Sequence, residues 1–140
     1  MAKKLKKGEQ MHVACGIAVS GENILICKRV QGGPYAGRWE FPTAVLDAGE
    51  TLEESLERSF FERLSLNLEK FGCLGAFDSV CARGVRVHAF RVKCPDFSMV
   101  LSGYDDAKWV HIKKLERFPL IPDAVTLVKV LQKNIVFFPQ

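Results

Sequence analysis

The sequence predicts an α+β fold in which a mixed β-sheet is sandwiched between α-helices. Short apolar runs typical of strands predominate, an amphipathic helix begins near Thr51, and a second helical pattern follows Pro122. With 140 residues, 48% of them hydrophobic, the chain is long enough for one domain with a sizeable core. We therefore expect a basic, disordered tail at residues 1–10 and a single domain over residues 11–140.

The charge pattern separates the amino terminus from the rest of the chain. The net charge is +4, and Lys3, Lys4, Lys6 and Lys7 account for it. A lysine cluster can contact phosphates, although a solvated terminus is the simpler interpretation. No apolar stretch approaches the ~20 residues that span a bilayer, and no signal-peptide pattern follows the basic start. These features predict a soluble, cytoplasmic protein without a membrane partner.

The cysteine pattern favours isolated thiols. The chain has five cysteines without a Cys-x-x-Cys pair, and most of them lie among apolar, strand-like neighbours. The cysteines are Cys15, Cys27, Cys73, Cys81 and Cys94. An odd count in this setting predicts buried thiols in a reducing compartment rather than disulfides or a zinc site.

The first elements are predicted to be strands. Apolar runs at residues 13–19 and 24–29 flank a Ser-Gly-Glu-Asn turn, which indicates a hairpin. Residues 31–37 are rich in turn formers and predict a loop. Residues 39–41 indicate a brief strand, and Pro42 limits any helix through this point.

The central helix has the strongest local signal. Thr51 can cap its first turn, and Glu54, three residues later, completes a capping-box pattern. An apolar residue recurs at every fourth position, and charged residues occupy another face. The apolar positions are Leu52, Leu56, Phe60 and Leu64, and the charged positions are Glu54, Arg58 and Glu62. We expect the apolar stripe to pack on the sheet.

The second half alternates strands with short helical segments. Residues 71–80, 85–92 and 109–112 have the composition and alternation of strands. Residues 113–117 predict a helical turn, and residues 122–133 predict a terminal helix. We expect Leu127, Val128, Val130 and Leu131 to face inward.

The segment around the central helix can be tested against the chemistry of diphosphates. A diphosphate carries several negative charges, so water attacks its phosphorus readily only when a divalent cation neutralises them. Magnesium prefers oxygen ligands in octahedral geometry. Two glutamates four residues apart on a helix face the same way and can hold one ion. The relevant helix here follows Gly49 and Glu50.

Residues 44–66 resemble the Nudix box of Nudix hydrolases, Gly-x5-Glu-x7-Arg-Glu-U-x-Glu-Glu-x-Gly-U, in which U is a large apolar residue. The pattern falls on Ala44, Glu50, Arg58, Ser59, Phe60, Glu62, Arg63, Ser65 and Leu66. Segments at residues 16–29, 39–42, 105–110 and 120–123 extend the resemblance over residues 11–132, most closely to the MutT-like branch. The resemblance implies the Nudix fold and hydrolysis of a nucleoside diphosphate linked to another group.

The resemblance also implies roles for individual residues. Arg58 would steady the loop and helix, Glu62 would act as metal ligand or general base, and Glu50 and Asp106 would be supporting metal ligands. The nucleotide contacts would be Lys28, Arg29, Arg83 and Asp123. The implied cofactor of an active protein is Mg²⁺ or Mn²⁺, and the implied partner is a nucleotide or a nucleoside diphosphate derivative.

Each of these residues also has a purely structural interpretation. Glu62 lies four residues after Arg58 and can form an ordinary helix ion pair. Lys28 and Arg29 can be solvated cations at the end of a strand, and Arg83 can be a turn residue. Asp123 follows Pro122 in a first helical turn, where a carboxylate is favourable in any case.

The departures from the box bear on activity. Ser59 and Arg63 replace the glutamate pair that binds metal most strongly in the family. A hydroxyl is a poor magnesium ligand, and a guanidinium repels the ion. Hydrolysis is therefore predicted to be weak, altered or absent. The alternatives are a non-catalytic module that binds a nucleotide or an RNA end through Arg63 and the basic tail, and an interaction domain with a vestigial pocket.

Overall fold

The computed structural model describes residues 10–95 and 98–133, so residues 1–9 of the basic tail predicted at residues 1–10 lie outside the described part. Strands and helices alternate much as the sequence predicts. The strands are β1 (Met11–Ser20), β2 (Asn23–Arg29), β3 (Trp39–Glu40), β4 (Thr43–Val45), β5 (Lys70–Asp78), β6 (Val85–Lys93) and β7 (Tyr104–His111). The helices are α1 (Leu52–Leu64), a 3₁₀ helix (Ile112–Arg117) and α2 (Pro122–Lys133).

The strands form one mixed sheet of seven strands in the order β3-β2-β1-β6-β5, with β4 paired to β1 and β7 paired to β2. The long strand β1 connects its parts. It runs parallel to β6 from Met11 to Ala18, and it pairs antiparallel with β4 at Val13–Cys15 and with β2 at Val19–Ser20. The predicted hairpin of β1 and β2 and the predicted mixed sheet are both confirmed.

Two apolar cores cover the two faces of the sheet. Leu56, Phe60 and Leu64 of α1 are fully buried in one core, as the apolar stripe predicts. The buried residues of α2 lie in the other core. They are Ala124, Leu127, Val128 and Leu131. The inward prediction for Val130 is wrong, because helical periodicity gives the inward position to Ala124 and leaves Val130 47% exposed.

Some strands and thiols differ from expectation. Strand β4 was not predicted, because its three residues carry no local pattern and form a strand only by pairing with β1. Strand β7 begins at Tyr104, earlier than predicted, because it pairs along β2.

All five cysteines are free. Cys73 is exposed, contrary to the expectation of burial, whereas burial raises the pKa of the Cys94 thiol to about 11.

Helix α1 is held at both ends. The Thr51 hydroxyl accepts a hydrogen bond from the Glu54 amide at 3.1 Å, and the Glu54 carboxylate accepts one from the Thr51 amide at 3.0 Å. This confirms the predicted capping box. The helix ends at Ser65, which adopts a left-handed conformation with φ 56°.

Arg58 fastens the loop before α1 to the helix. Its Nε donates to Glu50 Oε2 at 2.9 Å, and its Nη2 donates to Glu50 Oε1 at 3.0 Å and to the Val45 carbonyl at 2.8 Å. The Asp47 amide donates to the same Glu50 carboxylate at 2.7 Å. We call this set, Arg58 with Glu50, Asp47 and Val45, the loop clamp. The loop clamp thereby ties β4 and the loop that follows it to α1.

The loop clamp makes stability depend on pH. The hydrogen bond from Arg58, followed by that from the Asp47 amide, holds the pKa of Glu50 below its ordinary value. A carboxyl with a lowered pKa stabilises the fold above its unfolded-state pKa of about 4.3 and loses that contribution as the pH falls through the folded-state pKa. We therefore expect Glu50→Gln to lower the free energy of unfolding at about pH 7, with a difference from wild type that shrinks at about pH 3.

Urea unfolding at the two pH values measures this difference. Glu57→Gln is the matched control, since Glu57 is exposed on α1 and is not part of the loop clamp. A deficit of Glu50→Gln that is the same at both pH values would contradict the role given to the carboxylate.

The close approach of α1 to β1 requires a glycine. A Cβ on Gly16 would lie 2.6 Å from Phe60 Cε1 and 2.8 Å from Phe60 Cζ. We expect Gly16→Ala to lower the free energy of unfolding by about 1–3 kcal/mol through overpacking. Gly72→Ala is the control, because a Cβ on this strand residue meets nothing within 4 Å. Equal stabilities of the two variants in urea unfolding would show that the helix does not press on Gly16.

Candidate functional site

A cavity of about 820 Å³ opens between the sheet, helix α1 and the start of α2. Its volume suits a ligand of nucleotide size. Apolar side chains of β1 and β6 form one wall, and residues of α2 continue it. These apolar lining residues are Met11, Val13, Val85, Val87, Ile121 and Leu127. Charged side chains also line the cavity, and they are Arg29, Glu40, Asp47, Arg58, Arg63 and Asp123.

A buried carboxylate lies in the cavity wall near α1. Glu40 is only 1% exposed, and its oxygens accept hydrogen bonds from Arg29 Nη1 at 2.5 Å, Tyr104 Oη at 2.9 Å and Thr43 Oγ1 at 3.2 Å. Three donors satisfy the buried charge. Arg29 is fixed further by the hydrogen bond from its Nε to the Pro34 carbonyl at 2.8 Å. Its guanidinium is therefore held in one place.

Arg63 is positioned next to this group. Its guanidinium carbon lies 3.7 Å from the centroid of the Tyr104 ring, in a cation–π contact. Its Nη1 donates to the Thr43 carbonyl at 3.4 Å and its Nη2 donates to the Gly103 carbonyl at 3.3 Å. The buried Ser59 hydroxyl also donates to the Thr43 carbonyl, at 3.1 Å. Ser59 and Arg63 thus satisfy carbonyl oxygens at the place where the family signature puts glutamates.

The side chains present do not fit a divalent cation. In residues 10–95 and 98–133, no three His, Cys, Asp or Glu side chains come together as a metal-binding group. Glu62 is 59% exposed and lies 3.5 Å from Arg58 Nη1, as in a helix ion pair. Glu50 is engaged in the loop clamp, and Asp106 Oδ1 accepts from the Ala107 amide at 2.8 Å. None of these three carboxylates belongs to the described lining of the cavity.

The residues predicted to contact a nucleotide divide into two groups. Arg29 and Asp123 line the cavity, as does Arg58 of the loop clamp. Lys28 and Arg83 lie outside its described lining. Lys28 pairs in the sheet with Trp39 and Asp106, and Arg83 is exposed in the turn before β6.

Asp123 lines the cavity from the first turn of α2. Its Oδ1 accepts from the Val80 amide at 2.7 Å and its Oδ2 accepts from Ser79 Oγ at 2.6 Å, which ties α2 to the turn after β5. Tyr35 and Cys81 also line the cavity, and a hydrogen bond between their side chains raises the pKa of Tyr35. Tyr35 has a φ of 55°, an unfavourable conformation for a residue other than glycine.

Sequence reasoning missed Glu40 and Tyr104 as members of the site. A signal existed for Glu40, which is a charged residue between Trp39 and Phe41 in a short strand of large apolar side chains. An acid in such a place is buried with a partner more often than it is solvated. Tyr104 had no comparable signal, because its partner Glu40 is 64 residues away in sequence.

The described lining of the cavity combines apolar side chains of β1 and β6 with carboxylates and guanidinium groups. Such a cavity can hold a planar ring against β1 and β6 while Arg29 and Arg63 face an anionic group. The described residues include no helix that is long and apolar enough to cross a membrane.

Comparisons with known proteins identify the family and the fold of the chain. A stretch of 56 residues is 39% identical to "Putative 8-oxo-dGTP diphosphatase 2" of Mycobacterium tuberculosis and spans 40% of each protein. A structure from a study of MutT of Aliivibrio salmonicida and Vibrio cholerae superposes with a TM-score of 0.76 at 23% identity, covering 88% of this chain and 97% of that one. The NUDIX domain of Shewanella oneidensis NrtR, complexed with ADP ribose, superposes with a TM-score of 0.74 at 18% identity, covering 90% and 88%.

The structural likenesses show the shared fold, and a family model shows membership. This family model, described as NUDIX domain, matches residues 10–131, which include strands β1 to β7 and most of α2. The chain therefore belongs to the NUDIX domain family.

Proposed function

We propose that this NUDIX domain binds a nucleotide or a nucleoside diphosphate derivative in the cavity, and that it hydrolyses such a ligand slowly or not at all. One observation carries the proposal. The guanidinium of Arg63, beside the Ser59 hydroxyl, occupies the place where the family signature has metal-binding glutamates.

The cavity supports the binding half of the proposal. Val13, Val85 and Val87 offer an apolar surface to a nucleobase, and Asp123 offers carboxylate oxygens to donors on the edge of a base. Arg29 also lines the cavity, where its guanidinium can meet phosphate oxygens. The relatives named above include one called an 8-oxo-dGTP diphosphatase and one complexed with ADP ribose, both of which involve a nucleoside with linked phosphates.

The charge at the site supports the second part of the proposal, namely that hydrolysis is slow or absent. The family uses a divalent metal, and phosphate hydrolysis depends on neutralising and positioning the phosphates. Arg63 places a permanent positive charge beside Ser59 and the Thr43 carbonyl, which opposes the binding of a second cation. Glu62 keeps a carboxylate, but it faces solvent and Arg58. Metal-dependent turnover is accordingly expected to be low.

Restoring acidic side chains tests this explanation. We expect Ser59→Glu combined with Arg63→Glu to raise Mg²⁺- or Mn²⁺-dependent hydrolysis of nucleoside triphosphates by at least about tenfold over wild type, because carboxylates at these positions can hold the ion. The measurement is release of phosphate and pyrophosphate from a panel of nucleotides, with metal titrated from zero. Adding Glu62→Gln should reduce the gain if Glu62 shares the ion.

Rapid wild-type turnover of a common nucleotide would contradict the proposal. A folded double variant without any gain would show that features other than Ser59 and Arg63 limit turnover. The control is the single variant Arg86→Glu, which also exchanges an arginine for a glutamate but lies outside the lining of the cavity, where Arg86 pairs with Asp78 at 2.9 Å.

A further inference from the structure

We infer that Arg63 is a built-in cation that binds a phosphate group directly, so that this domain holds its ligand without any divalent metal. The inference rests on the proposed function and identifies the residue that recognises the anionic part of the ligand. Three properties of Arg63, judged within residues 10–95 and 98–133, support it: its charge forms no ion pair with a carboxylate, some of its N–H donors have no acceptor, and its position is fixed.

No carboxylate of the described residues pairs with the charge of Arg63. Three arginines line the cavity. Arg29 pairs with Glu40 at 2.5 Å, and Arg58 pairs with Glu50 at 2.9 Å. Within the described residues, Arg63 makes no ion pair with a carboxylate, and its polar contacts are to the carbonyls of Thr43 and Gly103. Its formal charge is therefore available to an anion in the cavity.

Arg63 also has more N–H donors than the two carbonyl oxygens that accept from it. A guanidinium carries five N–H donors in a planar fork that matches the spacing of phosphate oxygens. The contacts to the two carbonyls, at 3.4 and 3.3 Å, are long for hydrogen bonds. Phosphate oxygens can take up the remaining donors without breaking either contact.

The position of Arg63 is set by parts of the chain that are far apart in sequence. The Tyr104 ring lies against its guanidinium, and the Tyr104 hydroxyl is anchored on the buried Glu40. The backbone is held too, because the Ser102 amide donates to the Arg63 carbonyl at 2.9 Å. A side chain fixed in this way loses little conformational entropy when it binds an anion.

A resident cation changes how binding depends on metal. Chelation of divalent metals should leave the affinity for the ligand unchanged, because the charge that neutralises the phosphate is covalently part of α1.

The test is calorimetric titration of dGTP, ATP and inorganic pyrophosphate into the full chain, with either excess EDTA or excess Mg²⁺. We expect similar affinities in both conditions for wild type. Arg63→Gln should weaken binding of all three ligands by about 10- to 100-fold in EDTA, the range for lost hydrogen bonds to a charged group. Arg63→Lys should retain part of the affinity, because it keeps the charge but not the fork.

Arg86→Gln is the matched control, since Arg86 is a strand arginine outside the lining of the cavity, and it should bind as wild type. Deoxyguanosine, which lacks phosphate, should bind wild type and Arg63→Gln equally. If Arg63→Gln is unfolded by circular dichroism, Tyr104→Leu removes the supporting ring instead and should weaken binding of pyrophosphate in the same direction.

The outcomes separate this inference from the proposed function. Binding that requires Mg²⁺, or that is unchanged in Arg63→Gln, overturns the built-in cation while leaving nucleotide binding intact. If pyrophosphate binds in an Arg63-dependent way and neither nucleotide binds, the built-in cation is supported. The proposal that the ligand is a nucleotide is then overturned. Absence of binding by all three ligands overturns both.

Discussion

A single buried carboxylate constrains the site. Glu40 is almost completely removed from solvent, and a charge in that setting must be matched by donors or the fold is destabilised by several kcal/mol. The donors come from three parts of the chain: Arg29 at the end of β2, Thr43 at the start of β4 and Tyr104 at the start of β7. Satisfying Glu40 therefore brings these strand ends together and fixes the ring on which Arg63 rests.

The same fold can place either acidic or basic side chains at this position of the cavity. Where glutamates occupy the helix after the box loop, the centre of the cavity attracts a cation, which in turn attracts phosphates. Here Ser59 and Arg63 satisfy the Thr43 carbonyl themselves, so the positive charge comes from the protein. Binding of phosphates can survive this exchange, because a guanidinium and a metal ion both attract them. The proposed loss of turnover follows from the same exchange, because a guanidinium does not activate a water molecule as a metal does.

Features that depend on residues close together in sequence could be predicted, and features that depend on distant residues could not. The capping box at Thr51 and Glu54 and the stripe that ends at Leu64 depend on residues within a few positions, and both were predictable. Strand β4 and the early start of β7 depend on pairing with distant strands, and both were missed. The pairing of Glu40 with Tyr104 spans 64 residues, so no local pattern could have shown it. The motif did locate Arg63 correctly at the cavity, but its stacking on Tyr104 required the fold.

The most direct measurement is a crystal structure of the wild-type chain with a non-hydrolysable nucleoside triphosphate analogue and Mn²⁺, in which anomalous scattering locates the metal. We predict phosphate oxygens within hydrogen-bonding distance of Arg63 and no manganese peak beside Ser59 and the Thr43 carbonyl. A manganese ion at that position, with the Arg63 guanidinium displaced from Tyr104, would contradict the assignment of Arg63 as the cation of this site.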